Sequence, residues 1–152
     1  LAQEPASDSA DLFFDPDSEV DMRGSALLTF SKGVSALIAF NFDAMYQNNY
    51  SLWGSQGLIN VNRAYSIPPD LKPDVELVAN VNLKETKIQI DIPSTNHFEL
   101  IFHDFCQTIL TKENEQEKIK SIYDKLLAQA QALEAIRLSA KAKRQVQIAE
   151  IK

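Results

Sequence analysis

The sequence predicts an α+β fold, a two-layer sandwich in which a mostly antiparallel open sheet of about six strands is covered on one face by helices. Two observations carry this expectation. Apolar residues alternate from about Met22 to Ile92, then recur at helical spacing from about Asn96 onward. Short turns containing glycine separate the first strand segments, as hairpins and antiparallel pairing require.

Taken in order, "LAQEPASDSADLFFDPDSEVD" reads as an acidic lead-in loop over residues 1–21, ahead of a folded domain over 22–152. "GSALLTF" and "VSALIAFNF" are strands joined across "SKG", where Gly33 is free to take positive φ. "NNYSLW" and "LINVN" are joined by "GSQG". "SIPPDLKPD" holds three prolines, which remove ladder donors, so it is expected as a crossing loop between the fourth and fifth strands. "VELVANVNL" places Val75, Leu77, Ala79, Val81 and Leu83 on one face, and "TKIQIDI" adds Ile88, Ile90 and Ile92 after a turn near Lys84 and Glu85.

Pro93 stops that strand, and Asn96 with Glu99 forms a capping-box pattern for a first helix with Phe98, Ile101, Phe102, Phe105 and Ile109 on one face. After the charged connector "TKENEQE", a second helix carries Ile119, Ile122, Tyr123, Leu126, Ala130 and Leu133. Both are expected to cover the sheet's apolar face. "RQVQIAEI" extends the helix or forms a final strand, the short strand being favoured.

Composition bounds the function. The 152 residues are 45% hydrophobic and 9% aromatic, enough for one domain with a sizeable core. No apolar run approaches the roughly 18–20 residues of a membrane helix, and a net charge of −6 argues against nucleic acid as a partner. The start at Leu1 lacks the pattern of a signal peptide and is expected of a fragment or processed chain. The single cysteine, Cys106, excludes an internal disulfide and a multi-cysteine metal site, fits a cytoplasmic location, and is expected to pack beside the apolar stripe.

Candidate chemistry is sparse. His97 and His103 lie six residues apart on different helix faces, which does not suit a metal pair. "DPDSEVD" lacks the glycine and terminal glutamate of a calcium loop. The four glycines, at 24, 33, 54 and 57, form no phosphate-cradling motif. Arg63, beside Tyr65 where a strand runs into a rigid loop, either grips a phosphate or carboxylate or forms a salt bridge with a local acid. The face opposite the apolar one carries asparagines and is expected to be polar but nearly uncharged, which suits either a partner or plain solvation.

The order and spacing of "RGSALLTFSKGVSALIAFNFDAMYQNNYSLWGSQGLINVNRAYSIPP", "NHFELIFHDFCQTI" and "ALEAIRLSAKAKRQVQI" resemble the C-terminal domain of the Gfo/Idh/MocA oxidoreductases. The nucleotide-sugar 3-ketoreductase branch is the most similar, with its "WGS-G" turn and "R-A-aromatic" strand end. The resemblance implies a domain that shapes a sugar site and pairs subunits, beside an N-terminal Rossmann domain that binds NAD(P). The glycine motif and the Glu-Lys-Pro segment of that family are absent, and its acid-bearing helix would precede Leu1. No catalytic, metal or cofactor residue is therefore expected in this chain. Tyr46, Asn48, Arg63, Tyr65 and His97 are expected on the substrate side, at strand ends, in the loop and at the helix start. Asn49, Ser51, Asn60, Asn62, Asn80 and Asn82 are expected to form a homo-oligomer interface on the open sheet face. The rival expectations are a stand-alone interaction module and a monomeric carbohydrate-binding domain.

Overall fold

The computed structural model describes residues 4–18, 20–81, 84–110 and 116–151. It is α+β, with two antiparallel four-stranded sheets rather than one sheet of about six strands. The chain divides into two units, residues 1–44 with 114–152, and residues 45–113. All six expected strands form, but β3 (Ser35–Asn41) pairs with β2 (Asp21–Phe30) in one sheet, while β4 (Asn49–Gly54) pairs with β5 (Gly57–Asn62) in the other.

The first unit begins with a correction. Residues Pro5–Phe14, expected as an acidic loop, form the ten-residue strand β1. It lies between β2 and the short strand β8 (Val146–Gln147), giving the order β3-β2-β1-β8. The reason is a period-two pattern hidden beneath the acids: Asp8, Ala10 and Leu12 share one side of the strand, opposite Leu28, Ala26 and Gly24. Asp15 is spent on the hairpin that follows. Its carboxylate accepts from the Asp17 N–H and the Ser18 hydroxyl, both at 3.0 Å, while its own N–H donates to the Val20 carbonyl at 2.8 Å. Gly24 lies opposite Leu12, where a Cβ would stand 2.4 Å from Leu12 Cδ2 and 2.8 Å from the Asp11 carbonyl oxygen. The expected turn at "SKG" forms, with Gly33 at φ 77° and Lys32 at φ 64°.

Helix α2 (Gln116–Ala142) packs its C-terminal half on β1 and β8. Ala26, Leu28, Ala135, Ala140 and Val146 are buried there. The Ala10 N–H donates to Ser139 Oγ at 2.9 Å, and that hydroxyl donates to the Arg144 carbonyl at 2.7 Å, so a buried serine ties the strand to the end of the helix. The favoured short strand after the helix is present as β8, followed by a helical turn over Ile148–Glu150. The Arg144 guanidinium holds the Glu150 carboxyl down to about 2.

The second unit orders its strands β4-β5-β6-β7, with β6 spanning Asp74–Val81 and β7 spanning Lys84–Ile90. The proline-bearing segment returns the chain from β5 to its immediate neighbour β6 rather than crossing the sheet. Tyr50, Leu52, Ile59, Val61, Val75, Leu77, Ile88 and Ile90 share one face by register. Helix α1 (His97–Leu110) starts as its cap pattern requires, with the Glu99 N–H donating to Asn96 Oδ1 at 3.3 Å. The expectation that both helical stripes are covered fails. Phe98, Ile101, Phe102, Phe105 and Ile109 are exposed, as are Ile119, Ile122, Tyr123 and Leu126 toward the N-terminal end of α2, and Leu133 nearer its packed residues. Cys106 is likewise exposed rather than packed. Asn82, Leu83 and most of the connector before α2 lie outside the described residues.

Candidate functional site

Asn48 is the centre of a polar cluster in the second unit. It sits one residue before β4, while Tyr65 lies three residues past the end of β5. Its side-chain oxygen accepts from the Tyr65 N–H at 2.7 Å, and its Nδ2 donates to the Tyr65 carbonyl. Its own carbonyl accepts from the Ala64 N–H at 2.9 Å. The same Nδ2 donates to the Tyr46 hydroxyl at 2.7 Å. Asparagine suits this position because its planar amide offers a donor and an acceptor side by side, copying a strand partner where the ladder has ended.

The expected substrate-side residues therefore separate by role. Asn48 has its amide engaged on both sides and holds the loop in place. Tyr46 accepts from Asn48, which leaves its own O–H to donate outward. Tyr46 and Tyr65 are 71% and 60% exposed, and the Tyr65 ring lies 6.0 Å from that of Tyr50. Arg63 is exposed and, among the described residues, has no hydrogen-bond or ion-pair partner, so the salt-bridge alternative is not realised. Its φ of 53° and that of Ser66, 49°, lie in the left-handed region. His97 is exposed at the start of α1, and no contact joins it to the cluster among the described residues.

The expected interface residues Asn49, Ser51, Asn60, Asn62 and Asn80 share the other face of this sheet. That face is not nearly uncharged. Alternation along β6 places Asp74 and Glu76 there, and β7 adds Glu85, Lys87 and Gln89. Asn49, Ser51, Asn60, Asn62, Asp74, Glu76 and Gln89 border a shallow groove of about 400 Å³. Asn62 Nδ2 and Gln89 Nε2 donate to the two Asp74 oxygens at 2.8 and 2.5 Å, and hydrogen bonding, from Asn62 first, holds the Asp74 carboxyl below its ordinary value. Ser51 donates to Asn60 at 2.7 Å, Asn60 reaches Glu76 at 3.5 Å, and Glu76 lies 3.7 Å from Lys87. The signal for the acids was present: Val75 and Leu77 inward force Asp74 and Glu76 outward.

The first unit holds one titratable group that sequence reasoning missed. Asp8 is fully buried opposite Leu28 and Val146, and neither carboxylate oxygen has a hydrogen-bond partner. Burial pushes its carboxyl up to about 6. No group of histidine, cysteine and acidic side chains suited to a metal ion occurs among the described residues.

Over 125 residues the chain is 30% identical to dTDP-3,4-didehydro-2,6-dideoxy-alpha-D-glucose 3-reductase of Actinomadura kijaniata, covering 82% of this chain and 35% of the relative. The reductase of the same name from Streptomyces antibioticus is 29% identical over 90 residues, which is 59% of this chain and 26% of the relative. A crystal structure of a mutant 3-ketoreductase from Actinomadura kijaniata, in complex with TDP-benzene and NADP, matches with a TM-score of 0.73 at 28% identity, covering 86% of this chain and 39% of that one. A protein from Desulfitobacterium hafniense assigned as an NADPH-dependent oxidoreductase matches with a TM-score of 0.73 at 18% identity, over 97% of this chain and 43% of that one, and shares the fold. No protein-family model matches the chain. The homologues are thus nucleotide-sugar 3-ketoreductases, and the chain spans about a third of the length of the curated relatives it matches.

Proposed function

We propose that the chain supplies the substrate-binding and subunit-pairing part of an NADP-dependent nucleotide-sugar oxidoreductase. The observation that carries this reading is the similarity to the dTDP-sugar 3-reductase over 82% of the chain. The cofactor, when bound in such an enzyme, supplies or accepts a hydride at a sugar carbon. The residues of this chain do not fit the dinucleotide itself. Gly33 lies in a hairpin turn, Gly54 and Gly57 flank another, Gly24 is inside β2, and none of the four leads into a helix. Binding of NADP is therefore assigned to a part of the enzyme that these residues do not form.

On the sugar side, Tyr46 donates from its free O–H to a substrate hydroxyl, Tyr65 offers an exposed ring, and Asn48 fixes both. His97 is assigned to the substrate side through its place at the start of α1. The polar face with Asn49, Ser51, Asn60, Asn62 and Asn80 is assigned to subunit pairing, and Asn82 belongs to the same proposal by sequence position. Because Asp74, Glu76 and Glu85 already outnumber Lys87 on that face, adding acid rather than base is the change that should split a pair. A protein carrying both Asn60→Glu and Asn62→Glu is expected to sediment as a smaller species than the parent, and an unchanged oligomer contradicts the pairing assignment.

The direct test is a chimera in which this chain replaces the matching third of the Actinomadura kijaniata reductase. A chimera that folds and reduces a dTDP-linked 3-ketosugar with NADPH supports the reading. One that folds and binds NADP but shows no turnover overturns it. A carbohydrate-binding module is the rival reading, favoured by Trp53, 86% exposed on the same face as the groove. That reading requires an unlinked oligosaccharide to bind and a Trp53→Ala variant to lose it.

A further inference from the structure

We propose that Arg63 is an oxyanion-binding residue, held ready to take a phosphoryl group of a nucleoside diphosphate ligand. This rests on the reading above and names the part of the ligand that the loop recognises.

Four non-glycine residues have positive φ among the described residues: Lys32, Arg63, Ser66 and Lys143. Lys32 lies in a hairpin turn and Lys143 follows the last residue of α2, so turn geometry and helix termination account for both. Arg63 and Ser66 end no helix and close no hairpin. Each occupies a region that disfavours a residue with a Cβ, and two such residues within one short loop persist only where the surroundings over-determine them.

The surroundings do so. Asn48 grips Tyr65 through both its N–H and its carbonyl, its own main chain holds Ala64, and the buried Ile67 anchors the segment beyond Ser66. The main chain on either side of the Arg63 side chain is thus pinned, while the side chain itself is exposed and unpaired. In a chain with 21 acidic and 15 basic residues, an arginine left without an acid is poised for an anion from outside.

Chemistry narrows the anion. A guanidinium presents a planar fork that matches the oxygens of a phosphate bidentately. The exposed rings of Tyr65, on the same loop, and of Tyr46, joined to that loop through Asn48, supply hydroxyl donors and flat apolar surface, which suit a base or sugar attached to that phosphate. Inorganic pyrophosphate offers the same oxyanion without the base, so the two sources can be separated.

The test is calorimetric titration of this chain with dTDP and, separately, with pyrophosphate, for the parent protein and the Arg63→Ala and Arg63→Lys variants. Circular dichroism checks that each variant is folded. The expected result is dTDP binding weakened ~10-fold or more in Arg63→Ala, with Arg63→Lys between the two because it keeps charge but loses the fork. The parent should bind dTDP more tightly than pyrophosphate. Equal dTDP affinity in the parent and Arg63→Ala overturns the proposal while leaving the nucleotide-sugar reading standing. Pyrophosphate binding that depends on Arg63, with no gain from the base, keeps the anion site and counts against the nucleotide reading. No binding of either ligand to the parent overturns the proposal.

Discussion

The two sheets use charge in opposite ways. In the first, a carboxylate lies buried beneath α2 with no partner; in the second, carboxylates stand on an open face with their hydrogen bonds largely met by neighbouring amides. Asp8 is fully buried and pushed up to about 6, whereas Asp74 is exposed, bonded to Asn62 and Gln89, and held below its ordinary value. The difference teaches where each unit's specificity lies. The first sheet is built by burial around Ala135, Ala140 and Val146, and tolerates one costly polar group. The second is organised by side-chain hydrogen bonds on its surface, between Ser51, Asn60, Asn62, Asp74, Glu76 and Gln89.

The largest expected effect is at Asp8. A carboxyl whose folded value lies near 6 against 3.8 unfolded favours its neutral form in the fold. Its contribution is fully present below 3.8 and is lost as pH rises through about 6. Asp8→Val places an apolar side chain of strand-forming type beside Val146, and is expected to raise stability at pH 7.5 by about 2–3 kcal/mol. It should also flatten the pH dependence between pH 4 and 7. Urea unfolding at several pH values checks this, and parallel profiles for the two proteins would contradict it.

A smaller contrast is available at glycine. Gly24→Ala forces an atom against Leu12 and the Asp11 carbonyl, and is expected to cost about 2 kcal/mol. Gly54→Ala, in the second sheet, meets only the Gly57 carbonyl oxygen at 3.6 Å and is expected to stay within about 0.5 kcal/mol of the parent. Equal losses at the two sites, measured by thermal unfolding, would contradict this local difference in crowding.

The smallest effect is local. Asn62→Ala removes the main cause of the lowered Asp74 carboxyl, which should then titrate nearer its ordinary value in carboxyl-detected NMR. Because the folded value is depressed, Asp74 favours the fold above pH 3.8 and loses that contribution as pH falls through its lowered value. An unshifted titration would mean that Gln89 alone sets it.

The same contrast explains what was legible in the sequence. Strands such as β6 and β7 were readable because Val75, Leu77, Ile88 and Ile90 alternate with polar residues. Strand β1 was hidden because its inward side carries Asp8 and Ala10, too weak an apolar signal beside acids and a proline. The division into two sheets was not legible, since pairing depends on where each connector delivers the next strand and alternation does not encode that. The groove's acids followed from the alternation but were outweighed by the run of asparagines. Tyr46, Asn48 and Tyr65 were identified as a group by position, and their organisation around one amide is visible only in three dimensions.

The central claim, that the loop centred on Asn48 meets a nucleotide-sugar, is tested most directly by backbone-resolved NMR during titration with a dTDP-linked sugar. Shifts are expected to concentrate on residues 46–50 and 63–67, with β1 and β8 unchanged. Shifts confined to the groove around Asp74, or to the first sheet, would contradict it.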